Sequence, residues 1–437
     1  METPTLWQRL LWPQPPAKPE PVAPGLYHYF EDEGGQYTRF HLRVEPDGSG
    51  MLLANATAAA RLSPVGVIIA RDLLEGEPET AVFNHLRERF KGTDEATMRA
   101  DMQQVQAILQ QLIAPDTGYP IINLADAHFD PSQAELFAPL EADIPLAAPE
   151  QIVPLLDCLW EIGIPHVTLF APPGLTEDQH AHLVRAVERA EDLGMIAGVR
   201  GRASDLLQGT LLSDLAMAGV DHVTIPLASA TADLHDELLG EGDYTAVAKT
   251  FETLQILEVY PVGEIPLLAQ TQPDWLETLA QLQAWDVAHV SCYAIAAPEE
   301  GNGAVPAAAL RQIAADVEET ADTQQTPILW EPPQARHAQQ TLAQQVQHGP
   351  RCTGDAAVRV EPDGQVIPPR GPYRSAGNIL HDDWETIWQN EAFTSYRQKV
   401  EAPSHCQLCP GLAICAAACP ADPAGWALDS EPVSSIQ

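Results

Sequence analysis

Positive charge is scarce in this chain. Lysine and arginine number 23 against 61 aspartates and glutamates, a formal net charge of −38. Such an imbalance repels nucleic acid and anionic membranes at long range and suits either a solvated acidic surface or a basic partner. Long apolar runs are also missing. Hydrophobic residues make up 45% of the chain, yet no stretch approaches the roughly 20 residues that a membrane span requires. The opening METPTLWQRLLWPQPP has too short an apolar run and no small-residue cleavage site. A secretory signal is therefore not expected, and cytoplasmic location is the default expectation.

Cysteine is absent from the first 157 residues of 437. Cys158 and Cys292 lie in apolar segments and read as buried small hydrophobes. The other five, Cys352, Cys406, Cys409, Cys415 and Cys419, crowd into the last fifth. In a reducing compartment that clustering favours metal ligands over disulfides. The stretch HCQLCPGLAICAAACP, residues 405–420, spaces four of them as C-x2-C-x5-C-x3-C, with Pro420 after the last. Three states suit it: one iron–sulfur cluster on four thiolates, one structural zinc held tetrahedrally at about 2.3 Å, or no metal. His405 is a further donor type, although its place beside Cys406 also fits a surface residue.

The length allows two or three domains. A proline-rich linker occupies residues 13–25 and is expected to be extended. Residues 36–54 then alternate like a β-hairpin, with Pro46, Asp47 and Gly48 as turn chemistry. Helical patterns follow from AAARLSPVGVIIARDLLEG onward, which predicts a winged-helix-like unit over 25–115. From 119 to 348, apolar strand candidates alternate with amphipathic helices. They are 120–125, 166–171, 195–199, 222–227, 265–269, 287–294 and 327–330. This is the rhythm of an α/β parallel sheet closed as a full or partial (βα) barrel, with any function at the C-terminal strand ends. A small Cys-rich unit over 351–425 and a tail over 426–437 complete the plan, with residues 1–24 as an N-terminal tail. The hexapeptide RVEPDG occurs at 43–48 and again at 359–364, which reads as shared turn chemistry.

Three stretches carry a resemblance: the C-x2-C-x5-C-x3-C run; Cys352 through EPDGQV to GNI and WETIWQNEAFTSYR; and AGVDHVTIPLASATADLHDELLG in the barrel. Together with GSGMLLANATAAARLSPVG in the first unit, the order resembles the radical S-adenosylmethionine peptide maturases with a C-terminal SPASM domain, fronted by a PqqD-like peptide-recognition element. The resemblance implies a three-cysteine motif after the first barrel strand to hold a [4Fe–4S] cluster that cleaves S-adenosylmethionine. With 120–125 as that strand, the following residues 125–143 contain no cysteine, only Asp126, His128 and Asp130 as donors. The family's Gly-Gly-Glu-Pro-like turn after the second strand is replaced by APPG, residues 171–174. The SPASM pattern is incomplete too. Cys352 stands first, Pro369 occupies the second position, and no seventh cysteine follows Cys419. By the resemblance, Cys406, Cys409 and Cys415 would serve one auxiliary cluster, and Cys352 and Cys419 the other.

These departures argue against cleavage of S-adenosylmethionine. The expectation is a degenerate member of the family, non-catalytic, that binds a precursor peptide or pairs with an active maturase, the peptide adding a strand to the 36–54 hairpin. The alternatives are an iron–sulfur peptide-modifying enzyme, an electron-transfer module, or a barrel mouth reused for other chemistry around Asp126, His128, Arg200, Ser229, His235 and Asp236. His235 and Asp236 suggest an acid/base pair, although adjacent His-Asp residues more commonly make capping bonds. Arg200 and Arg202 would meet an anion or solvent.

Overall fold

The computed structural model describes residues 22–33, 36–54, 58–90, 94–113, 137–287, 289–297, 301–324, 328–354, 357–369 and 373–394. Contacts divide the chain into two units, Met1–Asp126 and Ala127–Gln437.

In the first unit the expected hairpin forms. β2 (Gln36–Val44) pairs antiparallel with β3 (Gly50–Ala54). Its turn is closed by Gly48 N donating to Glu45 O at 2.9 Å and Glu45 N to Ser49 O at 2.8 Å. Gly48 sits at φ 83°, a left-handed conformation that only glycine adopts freely. Two strands the periodicity missed flank the hairpin: β1 (Gly25–Glu33) along β2, and β4 (Ala58–Leu62) along β3. The meander order is β1-β2-β3-β4. Both edges of the 36–54 hairpin are therefore occupied, and strand addition there is ruled out. Ala58–Leu62 is a strand, not the helical start its alanines suggest, because the helix begins one step later. Ser63 caps α1 (Pro64–Leu74) by accepting from Gly66 N at 3.2 Å, and Pro64 suits the first helical turn. α2 (Glu79–Arg89) and α3 (Glu95–Ile113) follow. A core of Phe40, Leu42, Leu52, Val67, Ile69, Val82, Leu86 and Met102 joins sheet to helices.

The second unit is built on one large, mostly parallel sheet. β5 (Glu141–Pro145), β6 (His166–Phe170), β7 (Ile196–Arg200), β8 (His222–Pro226), β9 (Tyr260–Leu267) and β10 (His289–Ala297) lie side by side in chain order and run parallel. Helices link them: α4 (Pro149–Ile162), α5 (Glu177–Leu193), the short α6 (Ala203–Leu206) and α7 (Leu211–Met217), α8 (Ala232–Leu239) with α9 (Asp243–Ile256), and α10 (Trp275–Ala284). The glycines that stop α4 and α5, Gly163 and Gly194, take φ of 94° and 78°. β11 (Val305–Pro306), β12 (Ile328–Trp330) and β13 (Gln334–Ala335) pair with β10, with α11 (Leu310–Gln324) between β11 and β12.

After α12 (Leu342–His348), β14 (Ala357–Val360) adds parallel to the free side of β5, followed by antiparallel β15 (Gln365–Ile367) and β16 (Gly377–Asn378) and by α13 (Trp384–Trp388). The sheet is thus an open partial barrel among the described residues, since β14 rather than β12 lies beside β5. The C-terminal segment shares the barrel's sheet. The second RVEPDG turn repeats the first. Gly364 N donates to Glu361 O at 2.8 Å, Glu361 N to Gln365 O at 2.9 Å, and Gly364 has φ 88°.

Residues 120–125, expected as the first barrel strand, lie outside the described residues. The strand that precedes α4 and neighbours β6 is Glu141–Pro145, which begins within the stretch 125–143 expected as loop. Two acids in five residues hide its strand character. Both are on the sheet's inner side, where polar partners receive them.

Candidate functional site

A parallel sheet covered on both faces ordinarily reads as continuous apolar strands. Here the two faces differ. Ala142, Ile144, Val167, Leu169, Ala197, Val199, Val223, Ile225, Ile265, Val290 and Cys292 form one apolar face in the main core. The alternate residues, Asp143, Thr168, Arg200, Thr224, Glu264 and Ser291, are buried and polar. Burying polar groups costs free energy unless each is paired, so this inner face is where function or strain is expected to concentrate.

Towards the C-terminal strand ends, Arg200 and Glu264 make a two-pronged ion pair. Nη2 donates to Oε1 at 2.7 Å and Nε to Oε2 at 3.1 Å. The side chains are 1% and 0% exposed. The same guanidinium donates to Gln347 O at 2.7 Å and Val346 O at 3.0 Å, the last carbonyls of α12. Gln347 Nε2 reaches Leu238 O at 3.0 Å, and Gln334 Nε2 reaches Gly349 O at 2.8 Å. Val346 and Leu342 of α12 pack with Leu238, Leu239, Leu268, Tyr293 and Ile295. α12 therefore covers the mouth of the sheet.

Beneath it lie groups with no partner. Glu331 N donates to Cys292 O at 2.8 Å, which sets Glu331 between Ser291 and Tyr293 of β10. Glu331 Oε2, Ser291 Oγ and Tyr293 OH are buried without a hydrogen-bond partner among the described residues. Burial, and then the Glu264 carboxylate, push the Glu331 carboxyl well above the ordinary carboxylate range. The same two causes raise the Tyr293 hydroxyl.

Lower on the same face, Thr168 Oγ1 donates to Glu141 Oε1 at 2.6 Å. Asp143 Oδ2 accepts from Thr353 N at 2.8 Å, and Oδ1 from Thr353 Oγ1 at 3.1 Å. Burial and the neighbouring Glu141 hold the Asp143 carboxyl well above its usual range. His166 and His222 meet edge to face at 5.0 Å between centroids. The His222 ring lies over Gly198, where a Cβ would come within 2.2 Å of Nε2. Burial depresses His166 to about 4 and His289 to about 4; burial and then His166 depress His222 to about 3. All three are neutral near pH 7.

The residues singled out from sequence fall out differently. His235 does not pair with Asp236. Its Nε2 meets Asp243 Oδ2 at 3.0 Å and Nδ1 accepts from Ala228 N at 3.3 Å, with His235 and Asp243 fully buried. Asp236 closes a turn by accepting from Gly242 N and Tyr244 N, each at 2.8 Å. Ser229 Oγ accepts from Thr231 N at 3.0 Å. Arg200 is internal rather than open to an anion, and Arg202 is held by Asp205 at 2.6 Å and Leu239 O at 2.7 Å. In the APPG turn, Gly174 N donates to Asp205 at 3.1 Å, so its donor is taken. These five side chains, His235, Asp236, Ser229, Arg200 and Arg202, serve the fold. Asp126, His128, Asp130, His405, Cys406, Cys409, Cys415 and Cys419 lie outside the described residues.

Cys292 sits on the apolar face and Cys158 is partly buried in α4, as expected of small hydrophobes. Cys352 is fully buried. Burial and then Asp143 push its thiol well up, against the pull of Arg351 and Arg359. An iron–sulfur or zinc site needs several thiolates together. Among the described residues no three His, Cys, Asp or Glu side chains stand close enough to share a metal ion. The surroundings of Cys352 among the described residues supply one thiol and a carboxyl, fewer ligands than a cluster needs. The connection from β5 to α4 is residues 146–148, Leu-Ala-Ala, with no thiolate either.

The model of the SPASM domain, an iron–sulfur cluster-binding domain, matches residues 352–410, which include Cys352, Cys406 and Cys409. Among solved structures the chain is similar to SuiB of Streptococcus suis bound to S-adenosylmethionine, with TM-score 0.54 and 13% identity over 89% of this chain and 95% of that one. It is similar also to SuiB bound to the precursor peptide SuiA, with TM-score 0.52 and 12% identity over the same shares. No curated relative matches. The likeness establishes a shared α/β fold with a large, mostly parallel sheet. No helix among the described residues is long and apolar enough to cross a membrane.

Glu264, Glu331, Ser291, Tyr293 and Asp143 escaped the sequence reading. Their signal is an acid or hydroxyl interrupting an apolar strand, as in GEIPLL, HVSCYA and ILWE.

Proposed function

We propose that this protein is a peptide-recognition subunit that does not cleave S-adenosylmethionine. It presents a precursor peptide or pairs with an active maturase. The observation that carries the reading is β1, nine residues long, which among the described residues pairs with β2 alone at the edge of the first unit's sheet, with Phe30 63% exposed. An unpaired edge is a template for an extended peptide, main-chain bonds supplying affinity and alternate side chains selectivity. A PqqD-like role for this unit agrees with that edge. The cysteine-free 146–148 connection and the mouth filled by α12 support a chain without the primary reaction. Cys406, Cys409, Cys415 and Cys419 hold one structural or electron-carrying iron–sulfur cluster in this reading, with Cys352 outside it.

A peptide selected by panning a displayed random library against the full chain supplies the probe. Hydrogen bonding alternates along an antiparallel edge. Of Tyr29→Pro and Phe30→Pro, the variant that removes an outward amide is expected to lose peptide affinity while the sheet stays folded, and exchange protection should appear at alternate β1 amides. Protection confined to β4, or unchanged affinity in both variants, overturns the edge assignment. Formation of 5′-deoxyadenosine from S-adenosylmethionine by anaerobically reduced protein overturns the non-catalytic one.

A further inference from the structure

We infer that Ser291 and Tyr293, in the first half and middle of β10, and Glu331, which directly follows β12, form a binding site beneath α12 for one primary ammonium group. The inference does not rest on the peptide reading, since a free amine would satisfy the same groups.

Three oxygens, Glu331 Oε2, Ser291 Oγ and Tyr293 OH, lack partners among the described residues although their residues are 2%, 2% and 0% exposed, and the Ser291 hydroxyl lies close enough to the Glu331 carboxyl to favour its charged form. They share one place. Ser291 and Tyr293 are two apart on one strand and so face the same way, and Glu331 is bonded through its backbone to Cys292 between them. An ammonium has three N–H donors and no acceptor, which matches three acceptor oxygens one for one. The sign of charge also selects a cation. Glu264, Glu331, Asp143 and Glu141 line this face, and Arg200 is committed to Glu264 and to the carbonyls of α12. An anion would meet carboxylates. A divalent metal is disfavoured because no three His, Cys, Asp or Glu side chains gather to share one among the described residues.

Access follows from the cover. α12 is held to the sheet by Arg200 and Gln334 and to α8 by Gln347, all through main-chain carbonyls, bonds that can break and re-form without unfolding the strands. Glu331, kept neutral by burial and Glu264, would ionise against the ammonium and release a proton. The heat of binding should therefore vary with the ionisation enthalpy of the buffer.

The experiment is calorimetric titration of the full chain with n-butylammonium chloride and, separately, with acetyl-Gly-Lys-Gly-amide. n-Butanol and the Nε-acetylated peptide are controls. Saturable, buffer-dependent binding is expected that weakens at least about tenfold in Glu331→Gln and in Tyr293→Phe, the scale of a lost charge-assisted hydrogen bond. The exposed Glu241→Gln should bind like the parent. Binding of butylammonium assigns the site to a free amine; binding of the peptide alone assigns it to a lysine side chain. No binding of either, equal binding of butanol, or unchanged affinity in Glu331→Gln overturns the proposal and leaves buried water as the occupant. Glu331→Gln is isosteric and removes a buried acid, so retained far-ultraviolet circular dichroism separates loss of binding from loss of fold.

Discussion

Asp143 and Thr353, 210 residues apart, are joined by two hydrogen bonds from Thr353, its amide at 2.8 Å and its hydroxyl at 3.1 Å. The bonds fasten the start of the SPASM-matched segment to the first strand of the parallel sheet, immediately beside Cys352. Replacing Asp143 by alanine strands a buried amide and should destabilise the protein by about 1–3 kcal/mol. Cys352, whose burial should shield it from alkylation in the parent, should become labelled, as read by mass spectrometry of the cysteine peptides. A Cys352 that stays protected in Asp143→Ala would show that other contacts hold this segment down.

Arg200 is the second fastening, and its pair with Glu264 is fully desolvated. Removing one member of such a pair leaves a buried charge alone, which typically costs about 3–5 kcal/mol. Arg200→Met should show that loss in urea unfolding. Arg200→Met with Glu264→Gln should recover much of it, because both charges leave together. A double variant no better than the single would place the cost in the lost bonds to Val346 and Gln347.

Glu331 carries a pH dependence of defined sign. Its carboxyl is raised by burial above the ordinary 4.5, so the folded state holds a proton that the unfolded state has released. Stability therefore declines as pH rises above about 4.5, at up to about 1.4 kcal/mol per pH unit for one proton. Glu331→Gln should abolish that part of the decline and unfold at higher temperature than the parent at pH 8. Parallel melting-temperature profiles for the two proteins would contradict the assignment.

His222 works in the opposite direction. Depressed to about 3 by burial and His166, it stays neutral in the fold while the unfolded chain takes up a proton near 6.5. Its contribution is intact above pH 6.5 and is lost as pH falls from there towards 3. His222→Gln should flatten the acid limb of the stability curve, measured by urea unfolding at intervals across that window. An unchanged acid limb would mean that the ring is hydrated in the folded state.

The cysteines divide by environment. Purified without oxygen, the protein is expected to carry about four irons per chain with broad visible absorption. Cys409→Ser should lose both, whereas Cys352→Ser should keep both, since Cys352 is buried against Asp143. One zinc and no iron would replace the cluster with a structural site. Loss of iron in Cys352→Ser would move that residue into the ligand set.

Local chemistry was readable from the sequence wherever it was self-contained. The two RVEPDG hexapeptides predict one turn and make one turn, because the closing bonds run within five residues. β6 to β10 stand where apolar runs alternate with helical patterns. β1 and β5 were missed for related reasons: GLYHYFEDE follows a proline-rich run without a clean alternation, and EADIP carries its acids on an unusually polar inner face. The Arg200–Glu264 pair spans 64 residues and the Asp143–Thr353 bonds 210, so neither has a local signature. His235 illustrates the difference. Its neighbour Asp236 looked like a partner, yet the helical backbone turns Asp236 to the following loop and brings Asp243 to the ring.

Only three residues, 349–351, separate the end of α12 from Cys352. Four peptide steps reach at most about 14 Å when fully stretched. The helix over the sheet mouth is therefore on a short leash whose far end is the Asp143–Thr353 anchor. Lifting the helix by more than its own diameter would unwind its last turn or pull Cys352 from its niche. Entry to the sheet and exposure of that thiol are two readings of one mechanical displacement.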